Sequence, residues 1–174
     1  MGLLLRTLAL LIGCFIVTKN ACALPLSDLE NGSKIPIEIN AIKGITCEQK
    51  GKICTAHGDV VVTRGDMTLT ADALTATFAV DNKGRPQDVI RLEAIGHVRI
   101  FSADKTKTAS AQHAMYDVAT GYVILTGNNL ILTLRDLTIT AHDSLEYFDH
   151  EKRAVATGHA KAQKAQRFLM GDWL

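Results

Sequence analysis

The feature that most constrains the fold of this chain is a repeated unit that carries a glycine inside a strand-like run. The repeat glycines are 38, 31 and 31 residues apart, at Gly58, Gly96, Gly127 and Gly158. In each full copy an alanine precedes an aromatic residue by seven positions, as in Ala71 and Phe78, Ala109 and Tyr116, and Ala141 and Phe148. Self-similarity of this kind indicates supersecondary units that stack on one another.

Apolar and polar residues alternate within these units. The runs 67–72 and 137–142 have period two, which is typical of strands with one buried face. A glycine inside such a run more often marks a bulge or a bend than a plain turn. One unit cannot bury its apolar face alone, so neighbouring units must share a continuous interior. Because no strong helical period precedes residue 160, we predict an all-β fold built from about three repeats.

Residues 1–23 have the pattern of a cleavable secretory signal. Arg6 precedes an apolar run of ten residues, and small residues mark a cleavage point before Leu24. The run is shorter than the roughly 20 residues that a membrane-spanning helix needs. We therefore predict export, with an N-terminal extension at residues 24–34. An uncleaved anchor and a lipoprotein signal ending at Cys14 are the alternatives.

The charge of the chain excludes one class of partner. The sequence has 19 basic and 18 acidic residues, which gives a formal net charge of +1. Loss of residues 1–23 removes two basic residues and no acidic one, so the exported chain is close to neutral. A sequence-wide basic field is absent, and we predict no nucleic-acid partner.

Catalytic and metal-binding motifs are missing from the sequence. It contains no metalloprotease helix motif, no nucleophile elbow and no phosphate-binding loop. Three of the six histidines flank repeat glycines, namely His57, His97 and His159. Asp72 and Asp143 both follow repeat alanines, so they fit solvent-facing positions better than a catalytic pair. We predict no enzymatic activity, no metal site and no cofactor.

Two cysteines, Cys47 and Cys54, remain after the predicted cleavage. An even pair in an exported chain indicates a disulfide. The two are seven residues apart and residues 49–52 look like a turn, so two strands joined there would place them opposite each other. We predict a structural disulfide. The alternative is a metal or redox role, for which only His57 is close in sequence.

Four motifs, taken in order, resemble a known family. They are Ile35-Pro36-Ile37-Glu38-Ile39, the run 58–65, Leu69-Thr70-Ala71-Asp72 and the run 122–128. Over residues 34–160 the chain resembles the OstA-like N domain family of lipopolysaccharide-transport proteins. The resemblance implies a folded-over antiparallel β-jelly roll, open at both ends, at residues 35–164. Residues 165–174 would then form a C-terminal tail.

The resemblance also implies a function and partners. Family members shelter the acyl chains of lipopolysaccharide inside the roll and stack end to end across the periplasm. The implied ligand is lipopolysaccharide, held through its lipid A part. The N-terminal edge, about residues 35–40, would meet the inner-membrane Lpt complex through an LptC-like subunit, or another copy. The C-terminal edge, about residues 153–164, would meet the next copy or an LptD-like receiver in the outer membrane.

The resemblance assigns lipid contacts to four residues, namely Ile37, Ile39, Phe101 and Val118. Ile37 and Ile39 are in phase with each other, as one lining face requires. Phe101 is out of phase with Val98 and Ile100, so it needs a bulge to turn inward. Strand alternation adds further candidates for the same lining, namely Val60, Val62, Leu69, Leu132 and Ile139.

Other interpretations fit the same sequence. If residues 1–20 stay as an anchor, the chain is an LptC-like inner-membrane partner of the same pathway. If the apolar faces pack a closed core, the chain is a secreted structural β-solenoid. The tail at 165–174 is apolar, and it could cap the open end, extend strand pairing, dock on a partner or be poorly ordered. Basic residues toward one end could meet lipid phosphates at a rim or form a solvated face, namely Lys34, Lys43, Lys50, Lys52 and Arg64.

Overall fold

The computed structural model describes residues 35–48 and 52–174. These residues form twelve β-strands and no helix, so none of their elements is a helix able to span a membrane. The strands are β1 (Ile37–Asn40), β2 (Gly44–Cys47), β3 (Ile53–Arg64), β4 (Met67–Val80), β5 (Pro86–Ser102), β6 (Lys107–Asp117), β7 (Tyr122–Thr126), β8 (Leu130–Leu134), β9 (Leu137–Ala141), β10 (Ser144–Phe148), β11 (Arg153–Lys164) and β12 (Arg167–Trp173). The predicted signal peptide at 1–23 and the extension at 24–34 lie outside the described residues.

The strands form one antiparallel meander, which confirms the all-β prediction. The long strands β3, β4, β5 and β6 pair in chain order. β7 and β8 are successive parts of the next strand path, because β7 pairs with the C-terminal part of β6 and β8 with its N-terminal part. β9 and β10 form the following strand path in the same way. β9 lies between β8 and the C-terminal part of β11, and β10 lies between β7 and the N-terminal part of β11. β1 and β2 likewise pair with the two parts of β3.

The C-terminal tail contributes a strand to this sheet. Residues 167–173 form β12, which pairs with β11 from Lys164 to Thr157. The free edge that the sequence suggested at 153–164 therefore lies one strand further along. Leu174 exchanges two backbone hydrogen bonds of 2.9 Å with Ala156, which joins the end of the chain to the sheet.

The strand paths break their register at the repeat glycines. The shift falls between His57 and Val60 in β3, and the break at Gly127 separates β7 from β8. In β5, Gly96 and His97 have positive φ of 79° and 45° in succession. Such left-handed backbone favours glycine, which has no Cβ to clash. These bulges confirm the predicted role of the repeat glycines, and they bend the strands along one line that we call the crease.

The crease divides the sheet into two layers. Layer 1 contains β2, β7, β10 and the strand parts 53–57, 73–78, 86–95, 113–117 and 153–157. Layer 2 contains β1, β8, β9 and the parts 60–64, 67–71, 98–102, 107–111, 160–164 and 167–171. Arg64 of layer 2 donates a hydrogen bond from Nη1 to the hydroxyl of Tyr116 in layer 1. In a flat sheet these residues would be three strands apart and about ten residues apart along the strands, roughly 35 Å in all. The contact therefore requires a folded-over sheet, as predicted.

The core lies between the two layers and is tightest at the crease. Val60, Leu74 and Leu130, which flank the bulges, are at most 1% exposed. Alanines such as Ala56 and Ala160 fill neighbouring positions, and their small side chains let the layers approach closely. Farther along the strands, apolar side chains pack on this core but are only partly buried, namely Ile37, Ile39, Leu69, Phe78, Ile100 and Val118. Val62, Ala76 and Leu92, which lie farther from the crease, are buried as well. The interior is thus closed at the crease and becomes partly exposed only toward the strand ends on the opposite side, which we call the mouth.

Replacing a crease glycine with alanine should cost more than the same change in a loop. Gly96 and Gly84 have nearly equal φ, 79° and 76°. A Cβ at Gly96 would meet the side chain of Asp72, whereas nothing lies within 4 Å of a Cβ at Gly84. We expect Gly84→Ala to lose about 1–2 kcal/mol of unfolding free energy from backbone strain, and Gly96→Ala to lose about 1 kcal/mol more from crowding. Equal losses of unfolding free energy in the two variants, measured by urea unfolding, would contradict crowding at Gly96.

Candidate functional site

A continuous row of apolar side chains crosses layer 2 from one edge of the sheet to the other. Each member pairs directly with the next across neighbouring strands, so all members share the face that lines the interior, and Leu169 at the β12 edge is 67% exposed. We call this set the apolar row, and its members in order are Ile39, Val62, Leu69, Ile100, Ala109, Leu132, Ile139, Ala162 and Leu169. At about 4.8 Å per strand, the row is about 38 Å long.

Layer 1 presents a matching row to the same interior. The register links Ile45, Ala56, Leu74, Ala94, Ala114, Leu125, Leu145 and Ala156. From Ala56 to Ala156 these residues are at most 6% exposed. They lie next to the crease, whereas the apolar row of layer 2 lies farther toward the mouth. The interior is therefore apolar on both sides.

Nearer the mouth, layer 1 is lined by a row that contains two tyrosines. Val123 pairs with Tyr116 on one side and with Tyr147 on the other. Burial raises the pKa of both phenols, so they are neutral at physiological pH. Their rings extend the apolar lining, and the Tyr116 hydroxyl provides the oxygen to which Arg64 donates.

Most of the residues predicted to line a groove face this interior. Five of them are members of the apolar row, namely Ile39, Val62, Leu69, Leu132 and Ile139. Val60 faces the same side at the crease and is fully buried. Ile37 lies two residues farther toward the mouth, Val118 lies at the mouth of layer 1, and both pack against the core. Contact with lipid at these residues stays a prediction.

Phe101 is placed differently from the other predicted residues. It pairs with Thr68 and Thr108, and Nζ of Lys105 lies 3.2 Å from the centroid of its ring. The register is regular here, so no bulge turns the ring inward. Ile100 takes the interior position in this strand and packs against the core. The groove proposed below therefore includes Ile100 and leaves out Phe101.

Four members of the apolar row were not predicted from the sequence, namely Ile100, Ala109, Ala162 and Leu169. Ile100 is in phase with Val98, so strand alternation alone could have found it. Ala109 and Ala162 have small side chains with little hydrophobic signal of their own. Only pairing with larger apolar neighbours in β5, β8 and β9 places them in the row.

The outer side of the crease is polar. His97 Nδ1 lies 2.8 Å from Asp72 Oδ2, and His142 Nδ1 lies 2.8 Å from Asp143 Oδ1. Two cavities of about 460 and 550 Å³ lie at the crease, one beside Asp72 and one beside His142. Within residues 35–48 and 52–174, no group of three or more His, Cys, Asp or Glu side chains is arranged to hold a metal ion. The crease thus has polar groups on its outer side and alanine, valine and leucine side chains on its inner side.

The predicted disulfide joins Cys47 of β2 to Cys54 of β3. The two residues pair directly across these strands, which confirms the prediction from their spacing. Cys54 also pairs with Ala76 of β4 on the same face. The bond therefore fastens the short strand β2 to the N-terminal end of layer 1.

The fold and the interior define a class of protein, a folded-over β-jelly roll with an apolar lining that runs between two sheet edges. The family model described as LptA/(LptD N-terminal domain) LPS transport protein matches residues 38–143, which is more than half of the chain. The chain belongs to this family of lipopolysaccharide transport proteins, as the sequence motifs indicated.

A solved structure has the same fold. It is the crystal structure of LptH, described as the LptA homologous periplasmic component of the conserved lipopolysaccharide transport device from Pseudomonas aeruginosa. The TM-score is 0.60 at 19% identity, and the match covers 79% of this chain and 94% of that one. A comparison with curated protein sequences found no match.

Removing the disulfide should loosen the N-terminal end of layer 1. A bond that closes so short a loop contributes about 2 kcal/mol, mainly by restricting the unfolded chain. We expect the double variant Cys47→Ser, Cys54→Ser to lose about this much unfolding free energy in urea. Reductant should lower the stability of the wild type by the same amount and leave the variant unchanged. A variant as stable as the oxidised wild type would contradict this role.

Proposed function

We propose that this chain carries lipopolysaccharide through the periplasm by sheltering its acyl chains between the two layers. The observation that carries the proposal is the apolar row, which runs from β1 to β12 without a polar member. An acyl chain needs such an unbroken surface, because each methylene left in water forgoes about 0.8 kcal/mol of burial. Family membership supports lipopolysaccharide as the ligand, and the signal predicted at residues 1–23 supports the location.

The energetics favour acyl chains in the half of the interior that faces the mouth. Ten sheltered methylenes contribute roughly 8 kcal/mol, part of which is offset by ordering the chains. Separating the layers also loses contacts, and the burial pattern limits where this happens. Val60 and Leu74 at the crease are at most 1% exposed, and Val62, Leu132 and Ile139 of the apolar row are 4%, 6% and 7% exposed, whereas Ile37 and Val118 toward the mouth are partly exposed. Acyl chains therefore reach the apolar row when the layers separate from the mouth inward. We therefore place the acyl chains between the apolar row and the tyrosines of layer 1.

Both ends of the sheet offer backbone for assembly. Among the described residues, β1 pairs only with β3, and β12 pairs only with β11. An edge strand presents N–H and C=O groups that an added strand can pair. We propose that β1 meets an LptC-like subunit of the inner-membrane Lpt complex or another copy of this chain. β12 would meet the next copy or an LptD-like receiver in the outer membrane.

The exposed side chains of β12 support its role as a docking edge. Phe168, Met170 and Trp173 are 64%, 69% and 75% exposed. Aromatic and methionine side chains are enriched in protein interfaces relative to other surfaces. Phe168 and Met170 lie on the same side of β12, two residues apart, so they would contact an added strand together.

The anchored, LptC-like alternative is decided by the N-terminus of the exported protein. Leu24 as the first residue, found by mass spectrometry of the periplasmic fraction, would exclude it. Retention of residues 1–20 in the membrane fraction would favour it over a free carrier. The anchored protein would then bind the same ligand between its layers while attached to the inner membrane.

Placing carboxylates in the lining tests the groove against a closed structural core. Ile37 and Ile39 face the interior but are only partly buried. We expect Ile37→Glu, Ile39→Glu to lose lipopolysaccharide capture at least tenfold, measured with a photo-crosslinker in the mouth, while Tm falls by no more than about 4 °C.

The matched control is Ile35→Glu, Ile42→Glu, which replaces two side chains that are 54% and 78% exposed. It should capture lipopolysaccharide as the wild type does. A large fall in Tm of Ile37→Glu, Ile39→Glu, together with no capture by the wild type, would support the structural β-solenoid instead.

Charge on the C-terminal edge should prevent end-to-end assembly. Phe168→Asp, Met170→Asp removes apolar contact area and adds two charges beside the free edge of β12. We expect the wild type to self-associate as its concentration rises in sedimentation velocity, and this variant to stay monomeric. The control Ile95→Asp, Ile131→Asp changes two exposed side chains on central strands and should assemble normally. Equal assembly of both variants would contradict docking at β12.

A further inference from the structure

A second row of interior-facing positions lies between the apolar row and the mouth. Strand side chains alternate, so the residue two positions beyond each member of the apolar row faces the same side, about 7 Å farther out. We call these positions in layer 2 the rim row. Leu134 and Leu137 belong to it and pack against the core, as the alternation requires.

The rim row is basic. Its charged members are Arg64, Lys107, Lys164 and Arg167, which lie two residues beyond Val62, Ala109, Ala162 and Leu169. The other positions of the row are apolar or neutral, and none is acidic. Arg64 pairs with Ile37 and Met67, so its guanidinium extends from a surface that is otherwise apolar. Layer 2 is therefore amphipathic from crease to mouth.

The neighbours of these cations neutralise them only in part. Lys164 Nζ lies 3.2 Å from Asp136 Oδ2. In the turn after β10, the pKa of Asp149 is lowered chiefly by the hydrogen bond from Lys152 and further by the charges of Lys152 and Lys107. Among the described residues no carboxylate forms an ion pair with Arg64, whose partner is the neutral hydroxyl of Tyr116.

Arg64 is held in place without having its charge neutralised. Its guanidinium carbon lies 5.8 Å from the centroid of the Tyr116 ring, besides the hydrogen bond to the hydroxyl. A guanidinium is always charged, and its fork of donors matches the geometry of phosphate. An anionic oxygen is a stronger acceptor for it than a neutral phenol, so a phosphate at the mouth would displace Tyr116.

We propose that the rim row is a headgroup site, in which Arg64 and Lys107 bind the phosphate groups of a glycolipid whose acyl chains occupy the apolar row. This inference rests on the proposed function and adds the polar half of the ligand to it. The two rows are parallel and adjacent, so one amphiphile contacts both. Because Arg64 bridges the layers through Tyr116, loading with a phosphorylated lipid also releases this bridge.

The experiment compares two lipids and charge-matched variants. The lipids are bisphosphorylated lipid A and the same lipid A with both phosphates removed, each dispersed in detergent. Arg64→Gln, Lys107→Gln removes two cations of the rim row. The control Arg99→Gln, Lys161→Gln removes two exposed cations from the outer face of the same layer. Arg64→Lys, Lys107→Arg keeps the charge and shows whether changes at these positions damage the fold.

We expect Arg64→Gln, Lys107→Gln to bind bisphosphorylated lipid A at least tenfold more weakly and the dephosphorylated lipid within twofold of the wild type. The control should bind both lipids within twofold of the wild type. The charge-keeping variant should bind bisphosphorylated lipid A less than tenfold more weakly than the wild type and the dephosphorylated lipid within twofold of it. Equal weakening for both lipids, or equal weakening in the control, would overturn the headgroup site. So would binding of inorganic phosphate alone as tightly as lipid A, because the site would then be a free-anion site.

The same data separate this inference from the proposed function. A wild type that binds both lipids equally, with no effect of Arg64→Gln, Lys107→Gln, would overturn the headgroup site and leave the carrier intact. A wild type that binds neither lipid would overturn the carrier and the headgroup site together.

Discussion

The left-handed backbone at the repeat glycines is the constraint on which the rest of this structure depends. Each such glycine lies about seven residues before the next turn at the rim of layer 2, as Gly58 does before Gly65 and Gly96 before Ala103. Neighbouring strands therefore bend at the same level, and the bends add up to one crease. A flat sheet of the same strands would leave its apolar face in water. Folding at the crease buries that face against itself and leaves a mouth on the opposite side.

Distance from the crease then decides what each interior residue can do. Next to the crease the layers are closest, and alanine, valine and leucine fill the space. Two residues farther along a strand lies the apolar row, and two residues beyond it the rim row with Arg64 and Lys107. A single strand thus passes from a closed core through a lipid-compatible surface to a basic rim. The proposed carrier and the proposed headgroup site follow from this one gradient.

The pattern along the chain predicted the elements because it is local. Period-two alternation reports which side chains share a face, and the repeat reports where each strand bends. The Cys47–Cys54 pair could be predicted because both cysteines belong to one hairpin. The phase of Phe101 already conflicted with the inward position that the family resemblance assigned to it, and the regular register of β5 keeps its ring on the outer face.

The sequence by itself determined the strands, their buried faces, the positions of the bends and the family. Only the tertiary structure decided which residues meet across strands and across layers. Ala109 and Ala162 join the apolar row through register alone, and Arg64 reaches Tyr116 only because the sheet folds over. These contacts join residues far apart in the chain, and their alignment depends on every hairpin and bulge between them. Alternation within one strand carries no information about the combined offsets of these hairpins and bulges, so the alignment is fixed only when the whole sheet is assembled.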